Sequence, residues 1–344
     1  MAPVFSQRVA DWQQTHGRSE LPWQNTRDPY RVWLSEVMLQ QTQVVTVLGY
    51  FARFLEKFPT VAALAVASED AVFALWSGLG YYSRARNMHR CAQEVVARFD
   101  GSFPSTAAQL MTLPGIGRST ASAIAAFCFG ERVAILDGNV KRVLTRVLGF
   151  GSDLSIAANE RTLWNDATLL LPPAEAPDLI ARYTQGLMDL GATVCTPRKP
   201  NCLLCPVNDL CRALEAGAVE RYPVKTRKLK RTAQSLWMLH ATDASGRVWL
   251  EKRPARGIWS GLYCLPMFDS RDALVASLPS LFNVGNDGSP FVHVLTHKDL
   301  HLHPVLVTVQ RDAFLSERGR WVAAEDWDGL GLPAPVRKML AQAA

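Results

Sequence analysis

Four cysteines crowd into one short stretch with the spacing Cys195-x6-Cys202-x2-Cys205-x5-Cys211. Soft thiolates at this density enclose a zinc ion or an iron–sulfur cluster, and spacing alone leaves both open. A disulfide scaffold would spread its cysteines over a small secreted domain, and the total here, seven, is odd. Cys91, Cys128 and Cys264 stand in apolar settings and read as core fillers. A second pattern, Leu113-Pro114-Gly115-Ile116-Gly117-Arg118-Ser119-Thr120-Ala121, sets a glycine-rich turn between two helical segments. Glycines let backbone amides approach a phosphate, and the next helix adds the positive end of its dipole. This is a helix–hairpin–helix, a sequence-independent hold on DNA backbone. Gly115, Gly117, Arg118 and Ser119 are its expected contacts.

Two carboxylates stand out beside these patterns. Asp137, in Ile135-Leu136-Asp137-Gly138-Asn139-Val140-Lys141-Arg142, has the composition of a turn and helix cap. It also lies one short helix beyond the hairpin, where a carboxylate could sit against the DNA the hairpin holds. Glu36, in Ser35-Glu36-Val37-Met38-Leu39-Gln40-Gln41-Thr42, shares a helix face with Trp33, Val37 and Gln40. A carboxylate there is either a paired interior charge or a functional acid.

The elements that must position these groups are mostly helical through the first two-thirds of the chain. Asp28-Pro29 reads as an N-cap and a first-turn proline, and Ser68-Glu69-Asp70 opens another helix that runs to Gly78-Leu79-Gly80. The Gln40-Gln41-Thr42 run interrupts one helix before Val44 to Phe58 resumes. Ser105 to Met111, Ser119 to Phe129 and Asn139 to Phe150 follow in the same style, and Met1 to Trp12 reads as an amphipathic helix. Near residue 222 the composition changes. Lys225, Arg227, Lys228, Lys230 and Arg231 form a polar linker, after which strands are expected at Ser235 to Ala241, Val248 to Arg253 and Leu302 to Val309. Arg271 to Leu278 and Pro335 to Ala341 read as helices in that second, α/β or α+β, domain.

At 344 residues the chain suits two domains. A net charge of +6 favours a polyanionic partner. No apolar run reaches the roughly 20 residues of a membrane helix, so no membrane partner is expected and the location reads as cytoplasmic, nucleoid-associated.

Taken together, the cysteine spacing and Leu-Pro-Gly-x-Gly with its downstream aspartate resemble the endonuclease III superfamily of DNA glycosylases. Val32 to Thr42, Gly78-Leu79-Gly80-Tyr81-Tyr82 and Leu136-Asp137-Gly138-Asn139-Val140 look like the MutY-type adenine glycosylases almost letter for letter. The resemblance covers residues 12 to 222 and implies an all-α helix–hairpin–helix glycosylase with an iron–sulfur module, followed by a Nudix-like α/β (α+β) domain. The implied boundaries are a helical domain 1–224, a linker 225–234 and a Nudix-like domain 235–344. Within the first, a six-helix module spans about 27–136 with the hairpin at 113–119, and the iron–sulfur module about 1–26 with 137–224.

The same resemblance implies a [4Fe–4S] cluster on Cys195, Cys202, Cys205 and Cys211. It also implies Glu36 as the acid that protonates adenine at N7, Asp137 as the ionised stabiliser of the sugar cation, and Asn139 as an orienting group. Gln40, Gln41 and Thr42 are expected at the DNA, with Gln41 and Tyr81 as wedges on the adenine and oxidised-guanine sides. The implied substrate is double-stranded DNA carrying adenine opposite 8-oxoguanine or guanine, bound by a monomer.

Two departures matter. Where bifunctional relatives carry a Schiff-base lysine after Gly-x-Gly-Arg, this chain has Ser119, so strand cleavage is not expected; Lys141 is the nearby amine. The family's Phe-Ser-His reading loop is here Leu295-Thr296-His297, keeping a hydroxyl and the histidine but not the aromatic ring. The carboxylate run of Nudix hydrolases is missing, so nucleotide hydrolysis is not expected. The rival readings are a bifunctional glycosylase/lyase and a non-catalytic iron–sulfur DNA-binding protein.

Overall fold

A computed structural model of the chain describes residues 2–176, 178–227, 230–278, 282–309 and 316–343. By contacts the chain divides into two compact units, Met1–Ala65 with Arg90–Lys228, and Val66–His89 with Leu229–Ala344.

The first unit is helical. Asp28 caps Pro29–Leu39 by accepting from the Tyr30 amide at 2.9 Å, with proline in the first turn where its missing N–H costs nothing. The helix stops at Leu39, Gln41 takes the left-handed conformation at φ 57°, and Val44–Lys57 begins three residues later. The N-terminal helix Ala2–His16 shares a core with Gly138–Leu148 and Leu179–Thr193 through Phe5, Val9, Val140, Leu144, Tyr183 and Leu187. Gly186 permits that packing, since a Cβ there would meet the Val9 carbonyl oxygen at 2.7 Å. The hairpin is Ala107–Leu110, a turn, and Arg118–Phe129, shorter at its start than the expected Ser105 to Met111 because Thr106 caps it.

The second unit is built on a sheet: β1 Thr232–Asp243, β2 Val248–Lys252, β3 Tyr263–Cys264, β4 Met267–Phe268, β5 Phe282–Asp287, β6 Phe291–Val294, β7 Lys298–Val309 and β8 Gly319–Val322. Its main order is β3-β2-β1-β7-β5, with β1 and β7 parallel over twelve residue pairs and the other pairings antiparallel. Buried Leu236, Met238, Leu250, Leu300 and Leu302 alternate off the strands into a core shared with Val336 and Leu340 of the last helix. The three strands expected from sequence are there, and the helix expected at Arg271 to Leu278 runs Arg271–Ala276. Of the basic stretch, Lys228 lies outside the described residues.

One segment departs from the expected boundaries. Residues 66–89, read as part of the helical domain, pack with the C-terminal sheet. Ser77 Oγ and Tyr82 Oη donate to the Leu332 carbonyl at 3.2 and 3.0 Å, Arg86 donates to the Ser260 carbonyl at 2.6 Å, and Lys252 pairs with Asp70 at 2.7 Å. Gly331 leaves room for Phe73, whose Cβ would stand 2.5 Å from any Cβ added there. The Glu69–Trp76 helix ends before Gly78, whose φ of 101° no helix accommodates.

Candidate active site and nucleic-acid interface

In the first unit Glu36 lies in a cleft of about 410 Å³ whose walls include Arg18, Trp23, Gln24, Arg27, Phe127 and Gln185. The Pro29–Leu39 helix buries Trp33, Val37 and Met38 and turns Glu36 toward that cleft. No ion pair or hydrogen bond reaches the Glu36 carboxyl among the described residues. Burial pushes the Glu36 carboxyl up to about 8, with the negative charge of Asp137 adding to the rise. At neutral pH Glu36 therefore carries a proton.

Asp137 is the N-cap of Gly138–Leu148 and accepts from the Val140 amide at 2.7 Å. The cap expected from the sequence is therefore present. Burial raises Asp137, while the Val140 and Asn139 amides and the charges of Arg142 and Lys141 pull it down. Glu36 has no such lowering partners, so the pair keeps its proton on Glu36 and Asp137 ionises first. Asp137 is not among the residues lining the cleft.

The hairpin delivers what its glycines promised. Gly115 sits at φ 76°, Leu113 and Ile116 anchor the turn in the core, and the exposed Gly117 starts the next helix without a side-chain cap. The first amides of Arg118–Phe129 are therefore open to an anion. The Arg118 guanidinium lies 4.0 Å from the centre of the Trp164 ring, and Gln40 Nε2 reaches Thr120 Oγ1 at 3.5 Å, tying the Gln40 turn to the hairpin helix. Ser119 is half-buried beside them, and Lys141 is engaged by Glu160 at 2.6 Å.

Cys195, Cys202, Cys205 and Cys211 border one cavity, otherwise walled by groups such as Val143, Val147, Leu190 and Leu214. Four thiols around an apolar cavity, none of them in a disulfide, have the donor set of an iron–sulfur cluster. Burial pushes the Cys205 thiol up to about 12 and raises Cys202 and Cys211, a penalty that coordination of thiolates by iron removes.

Sequence reading missed how this segment is joined to the Asp137 helix. Arg142 donates to the Cys195 carbonyl at 2.7 Å and to Asn139 Oδ1 at 2.8 Å. Arg146, 1 % exposed, donates to Cys195 Sγ at 3.3 Å and to the Thr196 carbonyl at 2.7 Å. Their i, i+4 spacing on one helix face was the available signal. Arg198 and Lys199, in the loop between Cys195 and Cys202, are exposed.

In the second unit a cavity of about 670 Å³ brings Tyr81 together with Leu295, Thr296 and His297. The Tyr81 and Thr296 hydroxyls share a hydrogen bond. Leu295, partly buried, packs against the sheet's core while also lining that cavity. Trp259, at φ 55° and lining the same cavity, was not anticipated. Gln41, at φ 57°, and Tyr81, at φ 47°, are non-glycine residues in left-handed backbone, where strain tends to collect at functional positions.

The chain carries the features of a helix–hairpin–helix DNA repair enzyme, and comparison with known proteins agrees. Residues 34–165 match the model of the HhH-GPD superfamily base excision DNA repair proteins, 195–211 the iron–sulfur binding domain of endonuclease III, and 237–342 the NUDIX domain. An adenine DNA glycosylase of Buchnera aphidicola (Acyrthosiphon pisum strain) is 36% identical over 343 residues, covering 98% of this chain and 97% of the relative. The human adenine DNA glycosylase is 45% identical over 219 residues, 61% of this chain and 39% of that protein. A thermostable thymine-DNA glycosylase structure aligns with a TM-score of 0.56 at 29% identity, covering 62% of this chain and 96% of the other.

The chain belongs to the adenine DNA glycosylases. It is a DNA N-glycosylase, hydrolysing N-glycosidic bonds, and it carries a [4Fe–4S] cluster. Among the described residues no helix is long and apolar enough to cross a membrane.

Proposed function

We propose that this enzyme removes adenine paired with 8-oxoguanine, and with guanine, and leaves the strand uncut. The observation that carries the reading is the carboxylate pair: a protonated Glu36 in a roomy cleft with Asp137 as its charged neighbour. An adenine within a duplex must be flipped to reach such a cleft. Glu36 then protonates the departing base, ionised Asp137 stabilises the oxocarbenium-like sugar, and water adds at C1′ and gives up a proton to leave the abasic site. Asn139, fixed by Arg142, orients that end of the site.

Gln40, Gln41 and Thr42 meet the DNA where the adenine leaves. Tyr81 wedges on the opposite side, and Thr296 and His297 read the oxidised base, with Leu295 serving the core. Gly115, Gly117, Arg118 and Ser119 grip the backbone. Ser119 offers no amine for a Schiff base, and the ion pair with Glu160 occupies Lys141. Cys195, Cys202, Cys205 and Cys211 hold the cluster, whose role is to fix the loop bearing Arg198 and Lys199. Along the sequence the helical glycosylase and Nudix-like parts divide at the 225–234 linker, with residues 66–89 grouped with the second part. The protein works as a monomer in the cytoplasm, on the nucleoid.

The test uses an end-labelled duplex with one adenine opposite 8-oxoguanine, split after incubation into alkali-treated and untreated portions. Cleavage at the adenine only after alkali is expected. Cleavage without alkali would restore the lyase reading, and none in either portion would end this one.

A further inference from the structure

Tyr81 stands at the tip of a turn whose backbone is strained, although Leu79 N–H donates to the Trp76 carbonyl at 3.0 Å and Arg84 N–H to the Tyr81 carbonyl at 2.8 Å. Gly78 and Gly80 sit at φ 101° and 70°, and Tyr81 itself at 47°, a conformation costly for a side chain of its size. Tyr81 is 44% exposed, so core packing does not fix it. Beneath the loop lies Arg84, 9% exposed. Its guanidinium is 5.2 Å from the centre of the Trp76 ring and 5.5 Å from that of Tyr81. The same group donates to the Leu79 carbonyl at 3.1 Å and the Gly80 carbonyl at 3.4 Å, while Trp76 Nε1 donates to the Gly80 carbonyl at 2.9 Å. Burial lowers Arg84 to about 10, which leaves it cationic at neutral pH.

We propose that Arg84 is the positioning residue of the Tyr81 wedge: stacked with Trp76 and Tyr81 and bonded to the loop carbonyls, it holds Tyr81 in the orientation that distinguishes the base opposite the adenine. The proposal rests on the reading of Tyr81 given above. The chemistry requires arginine. A planar guanidinium can stack on rings and reach two carbonyls at once, whereas a lysine ammonium is a single compact charge. Preorganisation also matters for the wedge, because a ring searching among rotamers gives up part of its stacking energy.

The experiment compares Arg84→Met, Arg84→Lys and Tyr81→Ala in the full chain with its cluster. Folding is checked by melting temperature and by the cluster's visible absorbance. Single-turnover excision is measured for adenine opposite 8-oxoguanine and opposite guanine, and unstacking by 2-aminopurine fluorescence beside the 8-oxoguanine. Arg84→Met should lower the preference for 8-oxoguanine about tenfold and dim the fluorescence, with the rate opposite guanine within about threefold of the parent. Arg84→Lys should recover part of the preference, and Tyr81→Ala should lose at least as much as Arg84→Met.

A folded Arg84→Met with parental preference and fluorescence, alongside a Tyr81→Ala that loses both, would overturn the proposal. If Arg84→Met does not fold, Arg84→Lys decides: a lowered preference supports the role and a parental one refutes it. A Tyr81→Ala enzyme that keeps its preference would instead bring down the reading of Tyr81 itself, and the role of Arg84 with it.

Discussion

The Glu36 cleft and the Tyr81–Thr296 cavity are built by opposite means. In the cleft a carboxyl with no protein partner among the described residues is pushed up to about 8 by burial and a neighbouring negative charge. In the cavity the members are hydroxyls, an imidazole and an indole, and what is unusual is the backbone, with Tyr81 and Trp259 at φ 47° and 55°. One region stores its function in protonation, the other in geometry. Bond breaking needs a proton held against solution pH, whereas reading a base needs donors and rings held in place. The two should therefore fail differently when altered.

The largest effect is expected at the proton. Glu36→Gln should lower single-turnover excision by about 10³-fold or more with duplex affinity little changed, as loss of a general acid predicts. Its stability should change as well, with a definite sign. The folded state raises the Glu36 value, so the favourable contribution of its proton is complete at low pH and is lost as pH rises toward about 8. Glu36→Gln should then melt above the parent at alkaline pH and lose that advantage near pH 5, a comparison calorimetry can make. Asp137→Asn comes next, with a loss of about 10²–10³-fold from missing electrostatic stabilisation. Wild-type turnover in that variant would end its candidacy.

These sites were unevenly legible in the sequence. Asp137, the hairpin and the four cysteines sit in local patterns whose physics is local: a cap, a glycine turn, a ligand spacing; Glu36 stood out as an acid only through the family resemblance. The helix starts at Asp28 and Ser68 were readable for the same reason. What could not be read depends on contacts distant along the chain. Much of the hydrogen bonding of residues 66–89 to the second unit ends on the Leu332 and Ser260 carbonyls, which carry no side-chain signature. The walls of the cleft come from residues 18–27 and 181–188, brought together only by the fold. The short strands β3, β4 and β8 have two to four residues each, too few for an alternating pattern to declare itself. Leu295 was readable as a departure, but not its packing into the core.

The smallest effect sharpens the comparison from the geometric side. Thr296→Val removes the partner of the Tyr81 hydroxyl while keeping its shape. A neutral hydrogen bond at an exposed site is worth about 0.5–1.5 kcal/mol, so discrimination against guanine should fall by only about two- to tenfold. A loss of excision comparable to that of Glu36→Gln would contradict the division between protonation and geometry.

The central claim is that a proton on Glu36, kept there by burial and by Asp137, drives excision. It is tested most directly by the pH dependence of single-turnover excision in saturating enzyme, for the parent and for Asp137→Asn. The parent rate should fall on the alkaline side with a midpoint near 8, and the midpoint should move to lower pH when the Asp137 charge is removed. A rate that is level through pH 9, or a midpoint that does not respond to Asp137→Asn, would contradict the account.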